Sequence, residues 1–216
     1  MTNMRIVAID GPAGAGKSTI ARLVAERIGL MYLDTGAMYR AITVWAQDRG
    51  VDLGSDEQMS ALLDSSTIFV GKSNVTVNDA DVTTRIRSHE VTAGVSVVAS
   101  LPGVRKRLRE LQRQWATRIG GGVVEGRDIA TVVFPDACLK VFLTASPGER
   151  ARRRVEQSGG ELAEVEAAIV DRDHRDMSRL DGPLKPAPDA VVIDTSDLTI
   201  DEVVDTLVEL FEECCG

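Results

Sequence analysis

The chain has 216 residues, 44% hydrophobic and 27% charged, which is room for one α/β domain with an insertion or a small second lobe. Its formal net charge of −8 argues against a general binder of nucleic acid or anionic membranes. No apolar run approaches the ~18 residues of a membrane span, and the first strand is expected almost at the amino terminus, with no room for a signal peptide. The three cysteines (Cys138, Cys214 and Cys215) form an odd, unspaced set and read as reduced thiols of a cytoplasmic protein.

The apolar run Ile6-Val7-Ala8-Ile9 ends at Asp10 and enters Gly11-Pro12-Ala13-Gly14-Ala15-Gly16-Lys17-Ser18-Thr19, followed by a helical pattern at Ile20, Leu23, Val24 and Ile28. Strand, G-x-x-x-x-G-K-S and helix in that order define a loop for nucleoside triphosphate. Glycines let backbone N–H groups turn inward onto phosphate oxygens, and the helix start adds partial positive charge. Lys17 is expected on the β- and γ-phosphates and the Ser18 hydroxyl on Mg²⁺.

A second strand–turn–helix unit follows: Met31-Tyr32-Leu33, then Asp34-Thr35-Gly36, then a helix over 37–48. In a parallel sheet this places Asp34, Thr35 and Arg40 at the same carboxyl edge as the phosphate loop. A cation early in a helix gains nothing from the dipole, so Arg40 reads either as a phosphate ligand or as a solvated surface residue. After a short helical pattern over 56–63, the segments 67–70, 74–77 and 80–83, punctuated by Gly71 and Asn78-Asp79, read as an antiparallel meander. It breaks the βα rhythm, so roughly residues 52–90 are expected as an inserted lobe. Residues 89–99 could form a helix, and Pro102 opens another with the stripe Val104, Leu108, Leu111 and Trp115. The arginines and lysine on its other faces suit solvent, with one or two free to face a substrate.

Gly120-Gly121-Gly122 ends that helix, and Val123-Val124-Glu125-Gly126 is a short strand running into Arg127-Asp128. Asp128 has three readings: a magnesium ligand, an acceptor for an exocyclic base amine, or the N-cap of a segment beginning at Ile129. The strand 139–143 precedes two charged helices, over 149–157 and from 162 to about 179, joined through Ser158-Gly159-Gly160. They look like a mobile lid carrying Arg150, Arg154, Arg172, Arg175 and Arg179. A last buried strand is expected at 190–194 and a final helix over 199–213. Arginines in this number suit two phosphate groups brought together, since guanidinium forks bind phosphate bidentately and stay charged. An acceptor that is itself a phosphate is already anionic and needs no general base, in keeping with a chain that has only two histidines.

The blocks 11–19, Leu33-Asp34-Thr35-Gly36-Ala37-Met38-Tyr39-Arg40, Glu125-Gly126-Arg127-Asp128 through Val133-Phe134-Pro135, and Arg172-Asp173-His174-Arg175-Asp176 together closely resemble bacterial cytidylate kinases, over essentially the whole chain. The resemblance implies a P-loop three-layer α/β fold with a central parallel five-stranded sheet. It implies a single kinase domain over 1–216, with an inserted β-rich monophosphate-binding lobe at about 52–100 and a short helical lid at about 148–180. It implies transfer from ATP to CMP or dCMP with Mg²⁺, small-molecule partners only, and a cytoplasmic enzyme, for which a monomer is expected. By position, Thr35, Arg40, Arg127 and Arg179 match residues near the acceptor phosphate, Ser96, Arg105 and Asp128 match cytosine-reading positions, and Arg172 and Asp176 match residues holding the sugar. Lys17, Arg127, Arg172 and Arg179 are expected to act on the transferred group, residues 11–19 with Arg150 and Arg154 on ATP, and Asp34 on the CMP side. The chain departs from the family at Thr35, often Ser, and at His174, often Asp, for which a local helix role is expected. The rival readings are a P-loop kinase of another small metabolite, which would want a general base, and a GTPase switch, which would want an Asn-Lys-x-Asp motif that the chain lacks.

Overall fold

In the computed structural model, residues 4–215 are described; residues 1–3 and 216 of the expected domain lie outside the described residues. Two compact units share the chain: one of residues 1–33 and 116–216, the other of residues 34–115.

The first unit is built on β1 (Arg5–Asp10), α1 (Lys17–Arg27), β2 (Tyr32–Asp34, whose last residue begins the other unit), β6 (Gly121–Gly126), β7 (Leu139–Thr144), α6 (Pro147–Ser158), α7 (Leu162–Met177), β8 (Val191–Asp194) and α8 (Ile200–Cys215). The elements numbered between these belong to the second unit and the segment leading out of it. The sheet order is β2-β6-β1-β7-β8, with β1 parallel to β6 and β7, and β7 parallel to β8. Because β1 lies at the centre, the loop leaving its carboxyl end is flanked by the loops that leave β6 and β7. That is where a parallel sheet gathers its ligands. Below, Val7, Ile9, Val123, Val141 and Leu143 of the sheet pack with Ile20 and Val24 of α1 and with Val204, Leu207 and Phe211 of α8. At Gly121 the strand runs so close to β1 that a Cβ would strike the Arg5 carbonyl, so the glycines that end the preceding helix also open β6.

Two expectations are corrected in this unit. The last strand is not buried: β8 is the sheet edge, with Val191 37% and Val192 56% exposed, because only β7 pairs with it. Nor are all three cysteines reduced: Cys138 and Cys215 form a disulfide across 77 residues, with Cα atoms 5.7 Å apart, while Cys214 is a free, exposed thiol. Sequence spacing could not show this pair, because α8 packs back against β7 and carries Cys215 to the strand's entrance.

The second unit holds α2 (Thr35–Gln47), α3 (Asp56–Asp64), the antiparallel strands β3 (Ile68–Val70), β4 (Val75–Val77) and β5 (Ala80–Asp81), α4 (His89–Val98), and the larger part of α5 (Pro102–Ile119). The meander forms as expected: Asn78 and Asp79 both take positive φ, and Val77 pairs with Ala80 across a two-residue turn. Its last strand is shorter than 80–83, since Asp81 accepts from the Thr83 N–H at 2.7 Å and turns Val82 into the core. This unit begins before residue 52 because Ala37, Ala41 and Val44 of α2 share one apolar cluster with Val75, Val77, Val82, Ile86 and Val91.

Candidate active site

The phosphate loop sits at the end of β1. Gly14 and Gly16 have φ of 80° and 82°, left-handed backbone open to glycine, and Gly16 hands the chain to α1 at Lys17. A Cβ at Gly11 would collide with the Leu143 carbonyl of the next strand. Lys17 is buried, and its Nζ donates to the Pro12 carbonyl at 2.7 Å. Burial and the Arg127 guanidinium, with Arg172 adding to them, push its pKa down to about 7 against the opposing charges of Glu125 and Asp10. Ser18 is exposed in the first turn of α1.

Arg127 leaves β6 beside this loop. Its Nε donates to Asp176 Oδ2 at 3.0 Å and its Nη1 to the Gly126 carbonyl at 3.2 Å. Arg179 pairs with the other oxygen of the same carboxylate. Burial raises the Asp176 pKa, but the guanidinium groups of Arg127, Arg179 and Arg172 outweigh it and hold the group below the usual carboxylate range. The first unit therefore brings Lys17, Arg127, Arg172, Arg179 and Asp176 into one electrostatic cluster, with Glu125 and Asp10 also acting on Lys17. Four basic side chains gathered at one strand end suit an anionic ligand such as a phosphate.

Asp128 is buried and stands at the cap position of a short wide turn, residues Ile129–Val133, yet its side chain makes no capping bond there. That removes the capping role among its three readings. The carboxylate of Asp10, the last residue of β1, does the capping instead: Oδ1 accepts from Ile129 N–H and Oδ2 from Ala130 N–H, both at 2.8 Å.

Arg150 supports the loop from beneath. It is 4% exposed, and its guanidinium donates to the carbonyls of Ala145 at 2.9 Å and Ala13 at 3.1 Å and pairs with Asp173 Oδ2 at 2.6 Å. Gly14 packs on it so closely that a Cβ there would lie 3.0 Å from the Arg150 Cβ. Arg154 and Arg175 are exposed, and His174 is exposed in the last turn of α7, where a basic side chain suits the helix dipole.

In the second unit, Asp34 does two things. Oδ1 caps α2 by accepting from Ala37 N–H at 2.8 Å, and Oδ2 takes Arg40 Nη2 at 2.8 Å. Thr35 is buried beside them in the first turn of the helix. Ser96 is half-buried on α4, and Arg105, 2% exposed on α5, donates to the Ala99 carbonyl at 3.2 Å. Arg107 and Arg109 on the same helix are half-buried and Arg113 is exposed, so Arg105 is the most deeply buried of these arginines.

Asp10, Glu125 and Asp173 were not singled out by sequence reasoning. A carboxylate inside an apolar central strand was the available signal for the first two: Glu125 is 4% exposed and accepts from the Tyr32 hydroxyl at 2.5 Å.

Residues 7–213 match the sequence model of the cytidylate kinase family. A cytidylate kinase of Streptomyces avermitilis is 49% identical over 214 residues, covering 96% of this chain and 93% of that protein. Bifunctional pantoate ligase/cytidylate kinases of Synechococcus sp. strains JA-2-3B'a(2-13) and WH7803 are 51% and 52% identical over 96% and 98% of the chain, which spans 40% and 45% of their lengths. Shikimate kinase from Bacteroides thetaiotaomicron (TM-score 0.52, 14% identity, 96% of this chain and 98% of that one) and TT1252 from Thermus thermophilus (TM-score 0.51, 19% identity, 98% of each chain) share the fold. Because the family match runs through nearly every element described above, and a relative of similar length is 49% identical, the chain belongs to the cytidylate kinase family.

Proposed function

We propose that the chain catalyses ATP-dependent phosphorylation of CMP and dCMP to CDP and dCDP. The observation that supports this reading is the cluster of Lys17, Arg127, Arg172 and Arg179 around the end of β1, with the buried Lys17 at the start of α1 directly after the glycine-rich loop. An oxygen of the acceptor phosphate attacks the γ-phosphorus of ATP in line. The new O–P bond forms as the bond from that phosphorus to the β,γ-bridging oxygen breaks, and ADP leaves. Lys17 recovers its proton as the phosphates arrive and neutralises charge on the transferred group, with Arg127, Arg172 and Arg179 alongside. Residues 11–19 cradle the triphosphate through backbone N–H groups. Arg154 stands on the exposed face of α6, and Arg150 acts on ATP through Ala13.

Magnesium binds through nucleotide phosphates and keeps several waters, so a single exposed hydroxyl at the start of α1, that of Ser18, fits the metal's protein ligand. A bound Mg²⁺ would supply charge neutralisation for the nucleotide phosphates. On the acceptor side, Thr35 and Arg40, the latter oriented by Asp34, take the CMP phosphate. Ser96, Arg105 and Asp128 read cytosine, whose amino group suits a carboxylate. Arg172 and Asp176 hold the sugar. Uracil offers no amine, so a buried carboxylate at Asp128 would be left without that partner. We read the lobe at about 52–100 as the acceptor-binding insertion and 148–180 as the lid of one kinase domain. We read the protein as a cytoplasmic monomer acting on small molecules and not on nucleic acid.

The test is Mg·ATP-dependent ADP release with CMP, dCMP, UMP, AMP and no acceptor. Strong turnover with CMP and dCMP and weak turnover with UMP is expected. Equal turnover with UMP would remove the base-reading assignment, and no turnover with any nucleotide would overturn the reaction.

A further inference from the structure

We infer that Asp10 is a positioning residue for the acceptor side of the site, acting through Asp128; the inference rests on the cytidylate kinase reading above. Asp10 and Gly126 are register partners at the ends of β1 and β6, so the Asp10 carboxylate stands beside the point where the chain turns into Arg127-Asp128. Both of its oxygens are used on that turn, one for Ile129 N–H and one for Ala130 N–H, each at 2.8 Å. These are the first two donors of the turn, and the second of them, Ala130 N–H, is one that an aspartate at the cap position would ordinarily take with its own side chain. Asp128 occupies that position and makes no such bond. Asp10 supplies the cap bond to Ala130 N–H, so the Asp128 carboxylate is not spent on capping its own turn.

The arrangement is expensive to keep. Asp10 is 1% exposed, and burial, reinforced by the nearby Asp128 charge, raises its pKa to about 6 despite the two N–H donors and Lys17. A neutral apolar residue at the end of β1 would avoid that cost, but would leave two buried N–H groups without an acceptor, of which an aspartate at the cap position could take only that of Ala130. Asp10 also directly precedes Gly11, so one residue sets both the start of the phosphate loop and the aim of the turn after β6.

Asp10→Asn is the test, since it keeps the shape and removes the charge. An amide has one accepting oxygen and turns its NH₂ toward the second N–H, so the two-bond cap fails. Hydrogen exchange at Ile129 and Ala130 is expected to accelerate about tenfold or more while β1 and β7 amides stay protected, a result that does not depend on what the acceptor is. Steady-state kinetics are expected to show KM for CMP raised about tenfold with KM for ATP within about twofold. Adding Asp10→Asn to Asp128→Ala is expected to raise KM for CMP little further, because both act through one carboxylate. Unchanged exchange at Ile129 and Ala130 would overturn the inference. So would equal rises in both KM values, or fully additive effects with Asp128→Ala. Wild-type protein inactive on CMP would instead overturn the functional reading, and the exchange result would then decide the role of Asp10 alone.

Discussion

Arg150 Nη1 lies 2.6 Å from Asp173 Oδ2, and the same guanidinium holds the carbonyl of Ala13 within the phosphate loop. Both side chains are nearly inaccessible, 5% and 10% exposed, so the pair ties α6, α7 and the loop through one buried cation. Breaking one partner of a buried pair leaves an uncompensated charge. Arg150→Ala also removes the bonds to the Ala145 and Ala13 carbonyls, whereas Asp173→Asn keeps an oxygen for the guanidinium, so Arg150→Ala should cost more, about 3–5 kcal/mol in urea unfolding. KM for ATP should rise in Arg150→Ala and KM for CMP should change less. Equal stability of Arg150→Ala and wild type would show that the pair carries no structural weight.

Lys17 yields a prediction about protons. Its pKa of about 7 leaves it largely neutral at pH 8 in the free protein, and a bound phosphate restores the charge. ADP binding at pH 8 should take up a proton, approaching one per site, and uptake from this group should fade toward pH 6, where it is already charged. Calorimetry in buffers of different ionisation enthalpy reads this directly, and Lys17→Met should abolish it. The same group penalises folding below pH 7, and the penalty should be relieved as pH rises from about 7 toward 10.5. Turnover in Lys17→Ala should fall by a factor on the order of 10² to 10³ with the fold intact.

Asp10 has the opposite charge and a raised pKa, so its sign differs. Between the model-compound value of 3.8 and about 6 the folded state holds a proton that the unfolded chain releases. The contribution of Asp10 to stability should therefore fall as pH rises across that window and level off above it, by about 3 kcal/mol in all. Urea midpoints of wild type and Asp10→Asn, compared from pH 4 to pH 8, should diverge in that direction. Parallel curves would place the titration elsewhere.

Asp128 is proposed to read the cytosine amine, so replacing it should act on the acceptor more than on ATP. Asp128→Ala should raise KM for CMP about tenfold or more with little change for ATP. Equal effects on both would return Asp128 to the metal or to structure.

Asp34 separates capping from ion pairing. Asp34→Asn keeps an oxygen for Ala37 N–H and loses the Arg40 partner, whereas Asp34→Ala loses both. Asp34→Ala should cost about 1 kcal/mol more in unfolding experiments than Asp34→Asn, the worth of the cap. Both should raise KM for CMP, because Arg40 is no longer oriented.

Several features were legible without coordinates because their causes are local. The glycine spacing of 11–19 dictates backbone that only a loop between strand and helix can use. The Asn78-Asp79 turn dictates a hairpin, and the motif blocks carried the family. The edge position of β8 and the Cys138–Cys215 disulfide were not legible, since each depends on which element packs beside another.

The phosphate loop, the rhythm of strand and helix, the meander and the inventory of arginines are all written in the linear order of residues. These follow from dihedral preference and from hydrophobic period, which act over a few residues. What several of those side chains touch depends on which distant segments pack together. Asp10 meets Ile129 across 119 residues, and Arg150 meets Ala13 across 137. The strand order that brings those segments together is set by packing of the whole sheet, and no short window of sequence contains it.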